Sequence, residues 1–219
     1  MSTELSPTTS TPSDASQRRS APANRNRKSQ IPRDLTGTGV AAIDSILWRL
    51  KAKFGTETTL IVGVTGCEGQ SGTSTIAQAL AARAAQQTGR RVLLIDASGH
   101  LPANPSREQR PGLGEILSGE MAPLECPTTS PAENVDLIGL QANPELITRV
   151  EDRFITEMLH EFAAHYEMIV VDLPVADELK ELLPLAKHLP GVLLVVRSEQ
   201  AQPAHTQQVV DQLTQDGVI

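Results

Sequence analysis

Four short apolar runs, residues 59–64, 91–96, 168–172 and 192–197, recur along the chain with a helix-length stretch or more between them. Each is a nearly continuous block of Val, Ile and Leu, as in VLLID and MIVVD. Such blocks mark strands buried on both faces, whereas a half-wetted strand would alternate. Helical patterns fill 74–87, 113–117, 147–166, 176–185 and 203–213, and a weaker strand spans 134–140. Strand–helix alternation of this kind gives an α/β fold, a mostly parallel sheet with helices on both faces in three layers. With one Trp, one Tyr and three Phe among 219 residues, the core must be aliphatic.

Ahead of the first strand, Val40, Ile43, Leu47 and Leu50 recur at three- and four-residue steps and predict an amphipathic helix over 39–54, with Trp48 off its apolar stripe. In 147–166, Val150, Phe154, Met158 and Phe162 fall every four residues and are expected on one buried face. Residues 1–35 are rich in Ser, Thr, Pro and Arg and too poor in apolar groups to bury a core, so they are expected to be a disordered tail preceding a domain at 36–219. That tail has six basic and three acidic side chains. The chain's net charge of −7 therefore leaves −10 on the rest, which argues against nucleic acid as a partner of the folded domain. Cys67 and Cys126 are too few for a disulfide framework or zinc site and read as buried thiols. No apolar run approaches the roughly 18–20 residues of a membrane span. The N-terminus lacks the order of a secretory signal, so a cytoplasmic location is expected.

The first strand runs into Thr65-Gly66-Cys67-Glu68-Gly69-Gln70-Ser71-Gly72-Thr73-Ser74-Thr75 and then a helical sequence. This is the layout of a P-loop, in which main-chain N–H groups of Gly69, Gln70, Ser71, Gly72, Thr73, Ser74 and Thr75 would converge on phosphate at a helix N-terminus. Ser74 stands where a hydroxyl ligates Mg²⁺. Two residues depart from the motif, Cys67 at its first glycine and Thr73 at its lysine. Loss of the lysine removes a charge-assisted contact of roughly 1.5–3 kcal/mol, or roughly 10–150-fold in affinity. Asp96 and Asp172 end two predicted central strands, where Mg²⁺ would be held directly or through water. If the site is active, these two carboxylates are the catalytic candidates.

With these motifs the chain resembles the bacterial tyrosine autokinases of capsule and exopolysaccharide biosynthesis, a branch of the P-loop NTPases that includes ParA and MinD. The loop aligns without gaps to the family pattern T-S-x-x-P-G-E-G-K-S-T. VLLIDASGHLP, retaining Asp96 and Pro102, resembles a second acidic motif. The segments 112–119, 143–147 and 166–174 resemble G-L-S-E-V-L-x-G, N-P-x-E-L-L and D-Y-V-I-I-D-T-P. The resemblance implies a P-loop NTPase-like fold, ATP or ADP with Mg²⁺ as ligands, and an integral-membrane chain-length-determinant (polysaccharide co-polymerase) protein as partner. It also implies a peripheral place at the inner face of the membrane through that partner, and it leaves a homo-oligomer open.

The departures bear on activity. Thr73 and Glu68 stand where related proteins have lysines, Ser98 replaces a second Asp, and His100 replaces an Arg. Leu47 and Leu50 occupy the arginine positions of the family's assembly helix. The single tyrosine, Tyr166, precedes a strand, and the family's C-terminal tyrosine cluster is not in this sequence. The resulting expectation is a catalytically impaired relative, with weak or absent nucleotide binding, acting as a regulatory or scaffolding subunit. Two alternatives stand beside it. One is an active ATPase or kinase whose clamp is supplied by Arg90, Arg91 or a neighbouring subunit. The other is a ParA/MinD-type positioning protein, which an amphipathic C-terminal membrane helix would favour. The segment 203–219 has no Lys or Arg and reads instead as a helix covering the sheet.

Overall fold

A computed structural model describes residues 38–55, 58–99, 111–140, 147, 150–198 and 202–218. The expected tail at 1–35, together with His100, Pro102 and positions 143–146, lies outside the described residues. Helix α1 (Thr38–Phe54) is followed by β1 (Leu60–Gly66), α2 (Thr73–Thr88), β2 (Val92–Asp96) and α3 (Leu113–Leu117). A 3-10 turn (Pro123–Glu125) leads to β3 (Thr128–Thr129), β4 (Val135–Gly139), α4 (Asp152–Ala163) and β5 (Met168–Asp172). A 3-10 segment (Ala176–Leu182) then runs into α5 (Leu183–Lys187), β6 (Val192–Val195) and α6 (Pro203–Gln215).

The strands form one sheet in the order β3-β4-β2-β5-β1-β6, parallel except for β3 against β4. Side chains of each central strand alternate between two cores, as the two-residue strand period requires. Val62, Val64, Leu94 and Val170 face α1 and α2, where they meet Ile43, Leu47, Leu50, Ala77, Leu80 and Ala81. Leu93, Ile95, Ile169 and Val171 face the other layer, built from α3 to α6. The expected three-layer P-loop NTPase-like fold is therefore present. The alanines of α2 let its backbone lie close to the sheet, and Gly89 ends the helix in the left-handed region, its N–H bonded to the Ala85 carbonyl.

Four expectations need correction. Phe154 is 44% exposed, and the buried stripe of α4 is Ile155, Met158, Leu159 and Phe162. A strict four-residue step turns about 40° too far each time, so three steps carry a side chain from one face to another. Helix α4 is also shorter than 147–166. The expected 176–185 helix begins as a 3-10 segment, and α-helix starts at Leu183, with Pro184 in its first turn where a missing N–H does no harm. Strand β6 ends at Val195 rather than at 197, and the two-residue β3 has no counterpart in the sequence reading.

At the amino ends of β2 and β5, Arg91 Nε and Nη2 donate to Asp136 Oδ2, and the guanidinium lies 5.1 Å from the Tyr166 ring centroid. Arg90 pairs with Glu167 at 2.8 Å. Burial, reinforced by the Asp136 charge, pushes the Tyr166 phenol up to about 12.

Two outcomes test this packing. Phe162→Ala should cost about 3–5 kcal/mol by urea unfolding, against under about 1 kcal/mol for Phe154→Ala; equal costs would contradict the α4 stripe. The unfolded phenol titrates near 10. The raised folded value therefore stabilises the protein fully below about pH 10, and that gain is lost as pH rises through about 12, at most about 2–3 kcal/mol in all. The stability difference between wild type and Tyr166→Phe should shrink across that window, and parallel curves would contradict the assignment.

Candidate functional site

Strand β5 lies between β1 and β2, with Val64 opposite Asp172 and Asp96 opposite Asp172. The two predicted acids are thus cross-strand neighbours at the carboxyl edge of the sheet, beside the point where β1 enters the loop. Backbone bonds continue the register past the strand ends. Leu173 N–H donates to Val64 O and Ala97 N–H to Asp172 O, both at 2.9 Å, and Cys67 N–H donates to Val195 O at 3.1 Å. The buried Thr65 hydroxyl donates to the Pro174 carbonyl at 2.6 Å, tying the first loop residue to the turn after β5.

The carboxylates are joined by a residue that reads in the sequence only as a lost acid. Ser98 Oγ lies 3.0 Å from Asp96 Oδ1 and 3.0 Å from Asp172 Oδ2. Its one proton serves one carboxylate at a time. Gly99 N–H adds a 2.9 Å bond to Asp96 Oδ1. Asp172 is fully buried and Asp96 is 5% exposed.

Within the loop, Gln70 (φ 60°) and Gly72 (φ 87°) take left-handed conformations, and α2 begins at Thr73. Alternation of this kind turns successive N–H groups toward one side, the geometry of an anion nest. Gln70 does so without being glycine, at a conformational cost of roughly 1–2 kcal/mol. Where the motif has a lysine, Thr73 is buried, and its Oγ1 lies 2.9 Å from Ser71 Oγ. Both hydroxyls sit over Gly66. A Cβ there would overlap Ser71 Oγ and come within 2.6 Å of Thr73 Oγ1. Gly66 is thus required by close approach, and the loop is packed from within by its own hydroxyl pair.

The remaining site residues fall where the sequence places them. Gly69, Gln70, Ser71 and Gly72 form the turn, and Thr73, Ser74 and Thr75 form the first turn of α2. Cys67, at the start of the loop, is buried, and burial pushes its thiol up. Cys126 is also a buried free thiol. Arg90 and Arg91 are not at the site. They precede β2 at the opposite end of the sheet from Asp96, five residues and about 16 Å away along the strand, and both are engaged in ion pairs. A clamp supplied by either arginine within the same chain is excluded.

The donor set fits Mg²⁺ chemically, with two carboxylates and the Ser74 hydroxyl as hard oxygen ligands. Among the described residues no group of three or more His, Cys, Asp or Glu side chains converges to hold a metal alone. Mg²⁺ held by two carboxylates would draw its remaining ligands from water and phosphate oxygens.

No protein-family model matches the chain. It is 26% identical over 132 residues to "Putative tyrosine-protein kinase EpsB" of Ralstonia nicotianae (strain ATCC BAA-1114 / GMI1000), an alignment covering 57% of this chain and 17% of that relative. In fold it is similar to the kinase domain of the Escherichia coli tyrosine kinase ETK, with TM-score 0.70 and 24% identity over 82% of this chain and 72% of that one. It is also similar in fold to the septum site-determining protein MinD of Pyrococcus horikoshii OT3, solved with Mg-ADP, with TM-score 0.54 and 22% identity over 73% of this chain and 67% of that one. The chain thus resembles a bacterial tyrosine-protein kinase in sequence, and both tyrosine-kinase domains and MinD-type P-loop proteins in fold. Among the described residues no helix is long and apolar enough to cross a membrane.

The packed loop makes a coupled prediction. Gly66→Ala should destabilise the protein by about 1–3 kcal/mol through overpacking. In a Ser71→Gly background the same change should cost about 1 kcal/mol less. Additive unfolding energies would show that the hydroxyl pair does not sit over Gly66.

Proposed function

We propose that this chain is a tyrosine-autokinase-like protein of capsular or exopolysaccharide biosynthesis, catalytically impaired, that serves as a regulatory or scaffolding subunit with weak or no nucleotide binding. Its partner on this reading is an integral-membrane chain-length-determinant protein, which holds it at the inner face of the membrane. The likeness to a tyrosine-protein kinase and to tyrosine-kinase domains supports the class. The observation that carries the impairment is position 73. A buried hydroxyl turned onto Ser71 stands in place of an extended ammonium group.

The chemistry follows from the charge count. A phosphoryl-transfer site stabilises negative charge that moves onto the terminal phosphate and the leaving oxygen, mainly with fixed positive groups. When bound, Mg·ATP supplies the transferable phosphoryl group and part of that positive charge. This chain's own residues offer loop amides and the dipole of α2 to the phosphates, and Asp96, Asp172 and Ser74 to the metal. At position 73 the loop offers a threonine hydroxyl in place of an ammonium group. The chain's one tyrosine is 4% exposed and lies at the far end of the sheet, so it is not an acceptor on this folded domain. Among the described residues no tyrosine is placed to accept a phosphoryl group. The positioning-protein alternative loses its support at α6, whose Val209 and Leu213 are buried in the core rather than turned outward for a bilayer.

Isothermal titration with Mg·ATP and Mg·ADP, run on wild type and Thr73→Lys, tests the reading. Wild type should bind roughly 10–150-fold more weakly than the lysine variant and should show no ATP turnover. If neither protein binds, the loop is vestigial and the scaffolding role stands without nucleotide. Tight wild-type binding with turnover abolished by Asp172→Ala would overturn the proposal in favour of an active enzyme.

A further inference from the structure

The outward face of α1 carries a second candidate surface, remote from the phosphate loop. Ala41, Ser45, Trp48 and Ala52 follow one another along it at three- and four-residue steps, all exposed. Trp48, the only tryptophan in the chain, is 71% exposed. Beside it lies a groove of about 680 Å³ lined by Asp44, Ser45, Trp48, Arg49, Lys51 and Gln87. The groove reaches Gln87 near the carboxyl end of α2, fourteen residues and about 21 Å along that helix from Thr73.

The charges in the groove are not balanced. The Asp44 carboxylate accepts from Arg83 Nε and Nη2 at 2.6 and 2.9 Å and from Gln87 Nε2 at 2.7 Å, so its charge is taken up by Arg83. The Arg83 hydrogen bond holds the Asp44 carboxyl below its ordinary range. Arg49 and Lys51 make no ion pair among the described residues. The groove therefore presents an indole face with two uncompensated cations, on a body that is acidic beyond residue 35. Large aromatic and arginine side chains are the residue types that anchor protein interfaces, and a solitary exposed Trp set between cations is a marker of such an anchor.

We propose that this groove docks an acidic peptide segment of a partner protein, with an apolar side chain of the peptide against Trp48 and flanking carboxylates on Arg49 and Lys51. Charge complementarity selects this occupant. The chain's own residues 1–35 carry a basic excess and have the wrong sign. A peptide in the groove meets the local cations within a screening length of about 8–10 Å. Stable membrane attachment also draws on a larger apolar area than one indole. This docking role goes beyond the nucleotide reading and does not depend on it.

The test pans a random dodecapeptide phage library against the full chain, with counter-selection on the triple variant Trp48→Ala, Arg49→Glu, Lys51→Glu. Enriched peptides should carry carboxylates on both sides of a Leu, Ile or Phe. The best of them, synthesised, should change the emission of Trp48 saturably, which no other residue of this chain can mimic. Arg49→Glu should weaken that binding by about tenfold or more. All three positions are outside the core, so the variants should unfold at the wild-type midpoint. No enrichment over the triple variant, or a neutral or basic consensus, would overturn the proposal. So would an emission change produced only by phosphatidylglycerol vesicles, or only by raising the concentration of the protein itself.

Discussion

Strand β5, inserted between β1 and β2, places each candidate group at the carboxyl edge of the sheet. Parallel pairing sets Asp172 beside Val64 on one side and Asp96 on the other. Because both faces of these strands are packed with aliphatic side chains, a shift by one residue would exchange the contents of two cores. The register is therefore strongly specified, and with it the position of the acids relative to the loop. Those side chains and the loop amides are set by packing far from the chemistry they face.

On the proposed reading that scaffold would suit phosphate and Mg²⁺, while position 73 gives the loop no ammonium group with which to grip a terminal phosphate. Three residues account for the difference together. Gly66 leaves a space, and the hydroxyls of Ser71 and Thr73 fill it. A lysine in this position adds a movable positive charge, whereas threonine adds a short neutral side chain that bonds locally. At the strand tips Ser98 contributes a neutral hydroxyl that links the two carboxylates.

Much of this was legible from residues alone, because continuous apolar runs ending in Asp or Gly announce buried parallel strands and their tips. The glycine-rich loop, Asp96 and Asp172 fall where those runs place them, and the exposure of Trp48 follows from its position off the α1 stripe. Other features were not legible. The orientation of Thr73 depends on what surrounds its hydroxyl, and the sequence has no sign of the space over Gly66. Ser98 acquires its role only when two strands distant in sequence become neighbours. Arg90 and Arg91 looked available as a clamp until strand direction put them at the opposite end of the sheet, where Glu167 and Asp136 hold them. Phe154 illustrates the weakness of a strict four-residue period, which departs from a real helical face within three steps.

The most direct measurement of the central claim is a high-resolution crystal structure of the chain grown in excess Mg·ADP. The account predicts Ser71 Oγ and Thr73 Oγ1 still in hydrogen-bond contact over Gly66, with Thr73 making no contact to phosphate. A β-phosphate seated in the loop, with Thr73 turned outward and Mg²⁺ held between Ser74 and the two aspartates, would contradict it.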